Sequence, residues 1–356
     1  MEPNANERSS RVREPQMTVV GIAGLGIYLP EQVMTAEEVA AASGIPAEVI
    51  RTKFGLNQKR IADVAGKGET VSMMAAEAGR RALQDSGVLP EDVDALIYFG
   101  SMHKDYYVWL AAPRIQELLG ARRAYAFELS GASAGLPFAL KVARSLMFAD
   151  SSLHHMLLVA ASTESMLLDY TNPRSRFMFT FGDGAAACVL RRGYRRNIVL
   201  ESAFLTDGRF ADFVRVPAGG SLLPPSSETL KRRWHFLDVT DPIRMKEMLD
   251  PITLDHFVQV IREAMARSGC HHLDFLIPLH TKRSLFEALL SALGLTDSQA
   301  IYLSDYGHLS AVDPLLGLYL ARREERLRDG DIVVLVSAGT GYSWGATVIR
   351  WGGPHE

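Results

Sequence analysis

Residues 127–140 read FELSGASAGLPFAL, and the fold of the whole chain turns on them. Apolar residues 124–127 lead in as a buried strand. Ser130, Gly131, Ala132, Ser133, Ala134 and Gly135 form a turn of small residues, and a helix-like run continues from Leu140 to Met147. Ser133 therefore stands at a strand-to-helix turn. The first N–H groups of a helix have no partner inside it and carry partial positive charge. A hydroxyl placed there lies beside donors for a negative oxygen, the setting a nucleophilic serine requires. The same position suits a serine that only caps the helix.

Outward from this turn, strand-like and helix-like runs alternate. Short apolar runs at 17–27, 93–99, 155–161, 185–190, 198–205, 273–277 and 331–338 have the length of buried strands. Helical spacing marks 69–85, 241–268 and 284–293, and Thr35 to Glu38 resembles a capped helix start. Residues 219–233 read as a loop, and Arg191, Arg192, Arg195 and Arg196 as a solvated turn. Such alternation predicts an α/β fold with mostly parallel strands.

The pattern also repeats. Residues 124–140 match 300–316, 93–101 match 273–281, and the run near 160 answers the one near 335. In this register Ser133 falls on His308. Two related halves packed face to face would bring that serine and that histidine towards one cleft. The expected division is a polar extension over 1–16, an N-terminal half over 17–190 carrying the nucleophile, and a C-terminal half over 191–356 carrying the base.

Bulk properties narrow the function. The net charge of −3 gives no electrostatic reason to expect nucleic acid. No apolar run reaches membrane-spanning length, and the first residues lack the apolar core of a signal peptide. Two cysteines, Cys188 and Cys270, cannot build a disulfide framework and point to a reducing, cytoplasmic setting.

Seven blocks together resemble the ketoacyl-acyl-carrier-protein synthase III branch of the thiolase-like superfamily. They are GIAGLGIYLPEQVMT (21–35), GETVSMMAAEAGRRAL (68–83), FELSGASAGLPFAL (127–140), FGDGAAACVL (181–190), TDGRF (206–210), YGHLSAVDPLL (306–316) and GTGYSWGATVIRW (339–351). The resemblance implies a five-layer αβαβα fold of two duplicated halves and a homodimer. It also implies an acyl-enzyme reaction fed by acyl-CoA or acyl carrier protein, with no bound cofactor and no metal.

The departures decide the chemistry. The family's nucleophile is a cysteine at the position of Ser133. Its asparagine position holds His308, and an ungapped match puts Leu279 on its histidine position, with His280 one residue later. A thiol has a pKa of about 8.5 and supplies its own thiolate; a serine needs an adjacent base. His308 is that candidate. Asp313, five residues on, either orients the imidazole or is a helix-start charge before Pro314. Orientation requires His308 to lie in the turn before the helix, because on a regular helix the two would not share a face. Daunorubicin-type polyketide priming enzymes look similar here, with Ser for Cys and a His followed by an Asp at this spacing. His280 is a second base candidate.

Gly339, Thr340 and Gly341 resemble the family's glycine-rich segment, where the N–H at Thr340 would join that of Ser133 as an oxyanion hole. Lys53, Lys282 and Arg283 are candidate partners for CoA or carrier-protein phosphates. Val49 matches the family's CoA-stacking tryptophan. Cys188, Asp183 and Asp207 read as structural, and the pairs His154–His155 and His271–His272 as surface residues. These residues predict an acyltransferase with a Ser133 acyl-enzyme. The alternatives are decarboxylative condensation with malonyl-carrier protein and a non-catalytic partner subunit.

Overall fold

A computed structural model describes residues 19–353. The expected polar extension over 1–16, and Met17 and Thr18 of the first expected strand, lie outside the described residues. Among the described residues the main sheet has nine strands: β1 (Val20–Tyr28), β2 (Ala95–Tyr98), β3 (Tyr125–Glu128), β4 (His155–Thr163), β5 (Asp183–Arg192), β6 (Ile198–Thr206), β7 (Phe275–Pro278), β8 (Ile332–Gly339) and β9 (Ser343–Arg350). The helices that cover it are α1 (Val71–Ser86), α2 (Ala111–Leu119), α3 (Gly135–Ala149), α4 (Pro242–Arg267), α5 (Arg283–Leu293) and α6 (Asp313–Arg323).

From the middle of the sheet outward, one half runs β1-β5-β4-β2-β3 and the other β6-β9-β8-β7. A parallel bridge from Leu276 to Ala300 continues the second half where β3 continues the first. Strands β1, β2, β3 and β4 share one direction and β5 opposes them; β6, β7 and β8 share one direction and β9 opposes them. The halves join at β1 and β6, registered through the single pair Gly21 and Ile198. The expected boundary at residue 190 falls inside β5, which runs to Arg192 before the chain turns towards Ile198.

Side chains alternate across each strand, and this alternation builds the layers. Leu96 and Leu157 face α1 and α2, while Ile97 and Leu158 face the centre. Likewise Leu276 and Val334 face α4 and α5, while Ile277 and Leu335 face the centre. Helices α3 and α6 fill that centre with Leu136, Leu140, Leu315 and Leu318. The order is therefore α1/α2, sheet, α3/α6, sheet, α4/α5, the five-layer αβαβα arrangement. Small residues set the closest approach: a Cβ on Gly26 of β1 would lie 2.0 Å from the Ala78 carbonyl of α1.

Two expectations change in detail. The loop over 219–233 contains a short helix, Ser227–Lys231, begun by a capping box between Ser226 and Thr229. The repeat register also shifts: 3₁₀ turns over Ala132–Ala134 and Ser310–Val312 introduce α3 and α6. Ser133 lies inside its turn, whereas His308 lies two residues before its own. No helix among the described residues is long and apolar enough to cross a membrane.

Candidate active site

The turn after β3 is built from small residues because another backbone crosses it. A Cβ on Gly339, at the end of β8, would lie 2.4 Å from the Gly131 carbonyl and 3.0 Å from the Ser133 nitrogen. Ala132 adopts φ 46, the left-handed region that costs a residue with a Cβ. The Ser337 hydroxyl donates to the Ser133 carbonyl. Ser133 does not cap α3, which has no side-chain cap. Its Oγ instead lies 2.9 Å from His308 Nε2. Gly339→Ala should displace the Ser133 turn, and a melting temperature unchanged from the parent would contradict this contact.

His308 is held on every side. Its N–H donates to the Thr180 carbonyl at 2.9 Å, its carbonyl accepts from Gly182 N–H at 2.9 Å, and the Phe181 ring meets its imidazole edge-on at 4.9 Å. Its Nδ1 lies 2.6 Å from Asp313 Oδ2. Asp313 is the first residue of α6, and its wholly buried side chain turns back to the preceding segment. There it also accepts from Leu309 N–H at 2.7 Å and from His280 N–H at 2.8 Å. A carboxyl that accepts from donors on both oxygens must take the Nδ1 proton of His308 as a further donor. That leaves Nε2 as the acceptor for the Ser133 hydroxyl. The geometric condition on Asp313 is met because His308 precedes the helix. Burial works against a charged His308. The Asp313 charge and hydrogen bond, with a smaller push from Glu164, outweigh it and raise its pKa.

His280 has a different part. Its Nε2 is 3.2 Å from the Gly55 carbonyl, which can only accept, so that nitrogen carries the proton. Its ring lies against Tyr302. Burial pushes its pKa down from 6.5 to about 4, partly offset by the Gly55 bond and by Asp313. The base role expected of His280 therefore finds no support: Ser133 Oγ bonds to His308 Nε2, and the hydrogen bond of the His280 ring goes to Gly55. Between about 4 and 6.5 the unfolded chain binds more protons at this residue than the folded one. Stability should climb as pH rises through that window, and His280→Asn should flatten that part of the slope in melts at pH 4.5 and 6.5. Equal slopes in parent and variant would contradict it.

A cavity of about 580 Å³ joins these groups to solvent. Ser133, His308, His280, Leu279, Thr340 and Lys282 line it, so both residues 279 and 280 reach the site. Its inner wall is apolar, with Phe257, Leu285, Tyr342 and Trp344; Arg174, Arg176, Lys246 and Lys282 are exposed at its polar side. Sequence reasoning found only the last of these four cations, because nothing in the sequence places the other three near residue 133.

The remaining expected contacts separate. Lys53 is exposed and does not line the cavity; its neighbour Phe54 does. Arg283 is tied to Glu287 and Asp297, away from the cavity wall. Gly339 packs on the Ser133 turn from outside the cavity, and Gly341 (φ 144) lies beyond the end of β8. Asp183 is buried and accepts from Ala62 and Ser165, as a structural residue does. Among the described residues no group of three or more His, Cys, Asp or Glu side chains is placed to hold a metal ion.

Comparison with known proteins agrees with this architecture. Residues 127–208 match the family described as 3-oxoacyl-[acyl-carrier-protein (ACP)] synthase III, and residues 265–351 match its C-terminal part. The beta-ketoacyl-[acyl-carrier-protein] synthase III of Symbiobacterium thermophilum is 32% identical over 94% of this chain and 98% of its own length. The chain belongs to the 3-oxoacyl-[acyl-carrier-protein] synthase III family. The solved 3-oxoacyl-(acyl carrier protein) synthase III of Pseudomonas aeruginosa PAO1 superposes with a TM-score of 0.80 at 27% identity, covering 95% of this chain and all of the other. The priming beta-ketosynthase of the R1128 polyketide pathway shares the fold, with a TM-score of 0.80 at 23% identity over 97% of this chain and all of its own. Within this synthase III family the chain is a transferase-type enzyme of the thiolase-like fold. Ser133 and His308 are its departures from the cysteine and asparagine that the resemblance implies.

Proposed function

We propose that this protein is an acyltransferase that takes an acyl group from a thioester onto Ser133 and passes it to an acceptor. The observation that carries this reading is the chain of contacts from Ser133 Oγ to His308 Nε2 (2.9 Å) and from His308 Nδ1 to Asp313 (2.6 Å), opening on one cavity. The donor is acyl-CoA or acyl carrier protein. Its pantetheine arm enters the cavity, and Lys282, with Lys246, Arg174 and Arg176, meets its phosphates.

In this mechanism His308 Nε2 takes the Ser133 proton as Oγ attacks the thioester carbonyl. The N–H groups of Ser133 and Thr340 hold the oxyanion, with Gly339 allowing the two segments to approach. Collapse expels the thiolate, which takes the proton back from His308. An acceptor hydroxyl, amine or thiol then attacks the ester, again losing its proton to His308, and collapse breaks the ester bond to Ser133 Oγ, which recovers that proton as the acylated acceptor leaves. Asp313 keeps the imidazole in the working tautomer. The resemblance to the family supports a homodimer as the working unit.

A second reading is decarboxylative condensation with malonyl-carrier protein, favoured by the synthase names of the relatives. Against it stands His280, whose proton-bearing nitrogen is turned to Gly55, leaving the site one imidazole short of a donor pair for an enolate. Intact-protein mass spectrometry with a panel of acyl-CoAs tests the first reading: the parent should gain one acyl mass and Ser133→Ala none. Release of CO2 from malonyl-carrier protein, in step with product, would replace transfer by condensation. A parent that gains no acyl mass from any donor would reject the Ser133 acyl-enzyme.

A further inference from the structure

Among the described residues Lys59 is the largest buried charged side chain, with none of its surface exposed. It is the middle residue of a three-residue strand, Gln58–Arg60, and points inward while its neighbours are half-exposed. Its Nζ donates to the Tyr170 hydroxyl at 2.8 Å, the Phe179 carbonyl at 2.8 Å and the Phe181 carbonyl at 2.6 Å. An ammonium has three donors, and all three are used. A buried cation is a poor stabilising device, since apolar replacements are often neutral or better. Its value here has to be sought in what it holds.

The two carbonyls flank Thr180, whose own carbonyl accepts the His308 N–H at 2.9 Å. Gly182 N–H donates back to the His308 carbonyl at 2.9 Å, and Phe181 pairs with His308 as a parallel bridge. The contact is tight. A Cβ on Gly307, which has φ 75, would lie 2.3 Å from the Thr180 carbonyl and 3.1 Å from Lys59 Cβ. We propose that Lys59 is a positioning residue for His308: its ammonium pins the carbonyls on either side of Thr180, and that segment fixes the imidazole within reach of Ser133. The inference rests on His308 acting as the base in the reading above.

The charged and titratable groups facing the ammonium are Tyr170 and, from β5, Asp183. Burial lowers the Lys59 pKa and Asp183 opposes it, with a net value of about 7. A neutral amine would still have two N–H groups for the two carbonyls and a lone pair to accept the Tyr170 O–H, so the clamp does not depend on the charge.

The test uses the full-length protein, Lys59→Met and Tyr170→Phe, with acetyl-, propionyl- and butyryl-CoA from pH 6 to 9. Lys59→Met should slow Ser133 acylation by about 10- to 100-fold with half-saturation changed by less than about 2-fold, the pattern of lost positioning. Tyr170→Phe removes one of the three acceptors and should slow acylation by about 3- to 10-fold, which decides the matter if Lys59→Met does not fold. The second readout needs no turnover: the His308 Nδ1–H resonance in NMR should shift or broaden in either variant. Parental rates and an unmoved resonance would overturn the proposal. A parent that forms no acyl-enzyme would count against the Ser133 reading alone, because the resonance still reports the link between Lys59 and His308.

Discussion

His308→Ala should slow acylation of Ser133 by about 10⁴-fold or more, and the same change in a Ser133→Cys background should cost only about 10- to 100-fold. The acidity of the nucleophile sets the difference. A serine hydroxyl cannot ionise near neutral pH and passes its proton to a base during attack. In the proposed mechanism the base is His308, 2.9 Å away and already oriented by Asp313. A cysteine, with a pKa of about 8.5, reaches its reactive form without that transfer. The two substitutions should therefore be strongly non-additive, the signature of groups that act as a unit. Rapid-quench mass spectrometry of the four proteins measures it. Equal penalties in the two backgrounds would show that His308 does not take the proton of Ser133.

Asp313→Asn is the second change with a large expected effect, a loss of about 10³- to 10⁴-fold in acylation. Asp313 accepts from three partners: His308 Nδ1, Leu309 N–H and His280 N–H. An amide offers one acceptor oxygen and one NH2 group. Whichever way it is placed, a donor then faces a donor at a side chain with none of its surface exposed. If the NH2 group faces His308, the imidazole is driven to the other tautomer and Nε2 no longer accepts from Ser133. If it faces Leu309, the turn into α6 is strained. Stability should fall as well, by about 1–3 kcal/mol for the unsatisfied donor. The pH profile separates the two effects, because loss of the carboxylate removes what raises the His308 pKa and should move the acidic limb of acylation downward. An unmoved limb would mean that Asp313 only supports the helix start.

Much of the architecture was legible because buried strands are short apolar runs bounded by Gly, Pro or charge. Val93–Phe99 and Asp331–Ala338 needed no other signal. Strand β9 was hidden in a glycine-rich block, SWGATVIR, where the chain only doubles back along β8. The pairing of Ser133 with His308 was legible through the duplication, although the turns are offset by more than the repeat suggested. Individual contacts were less so. Pro278 ends β7 and frees the backbone from strict alternation, so adjacent residues Leu279 and His280 both reach the cavity. Lys53 and Arg283 were read from charge alone, and charge does not fix direction. Lys59 sits in a stretch, NQKR, that looks solvated by every local criterion; only tertiary packing buries it.

On the proposed reading, the nucleophile and its base come from opposite halves, separated by 175 residues and joined across α3 and α6. On the ribosome the serine emerges long before the histidine. A nascent chain therefore carries an inert alcohol until α6 docks, and thioesters in the surrounding pool have nothing to react with. A cysteine at that position would be exposed and nucleophilic throughout synthesis. On that reading the hydroxyl becomes reactive only once His308 and α6 have docked.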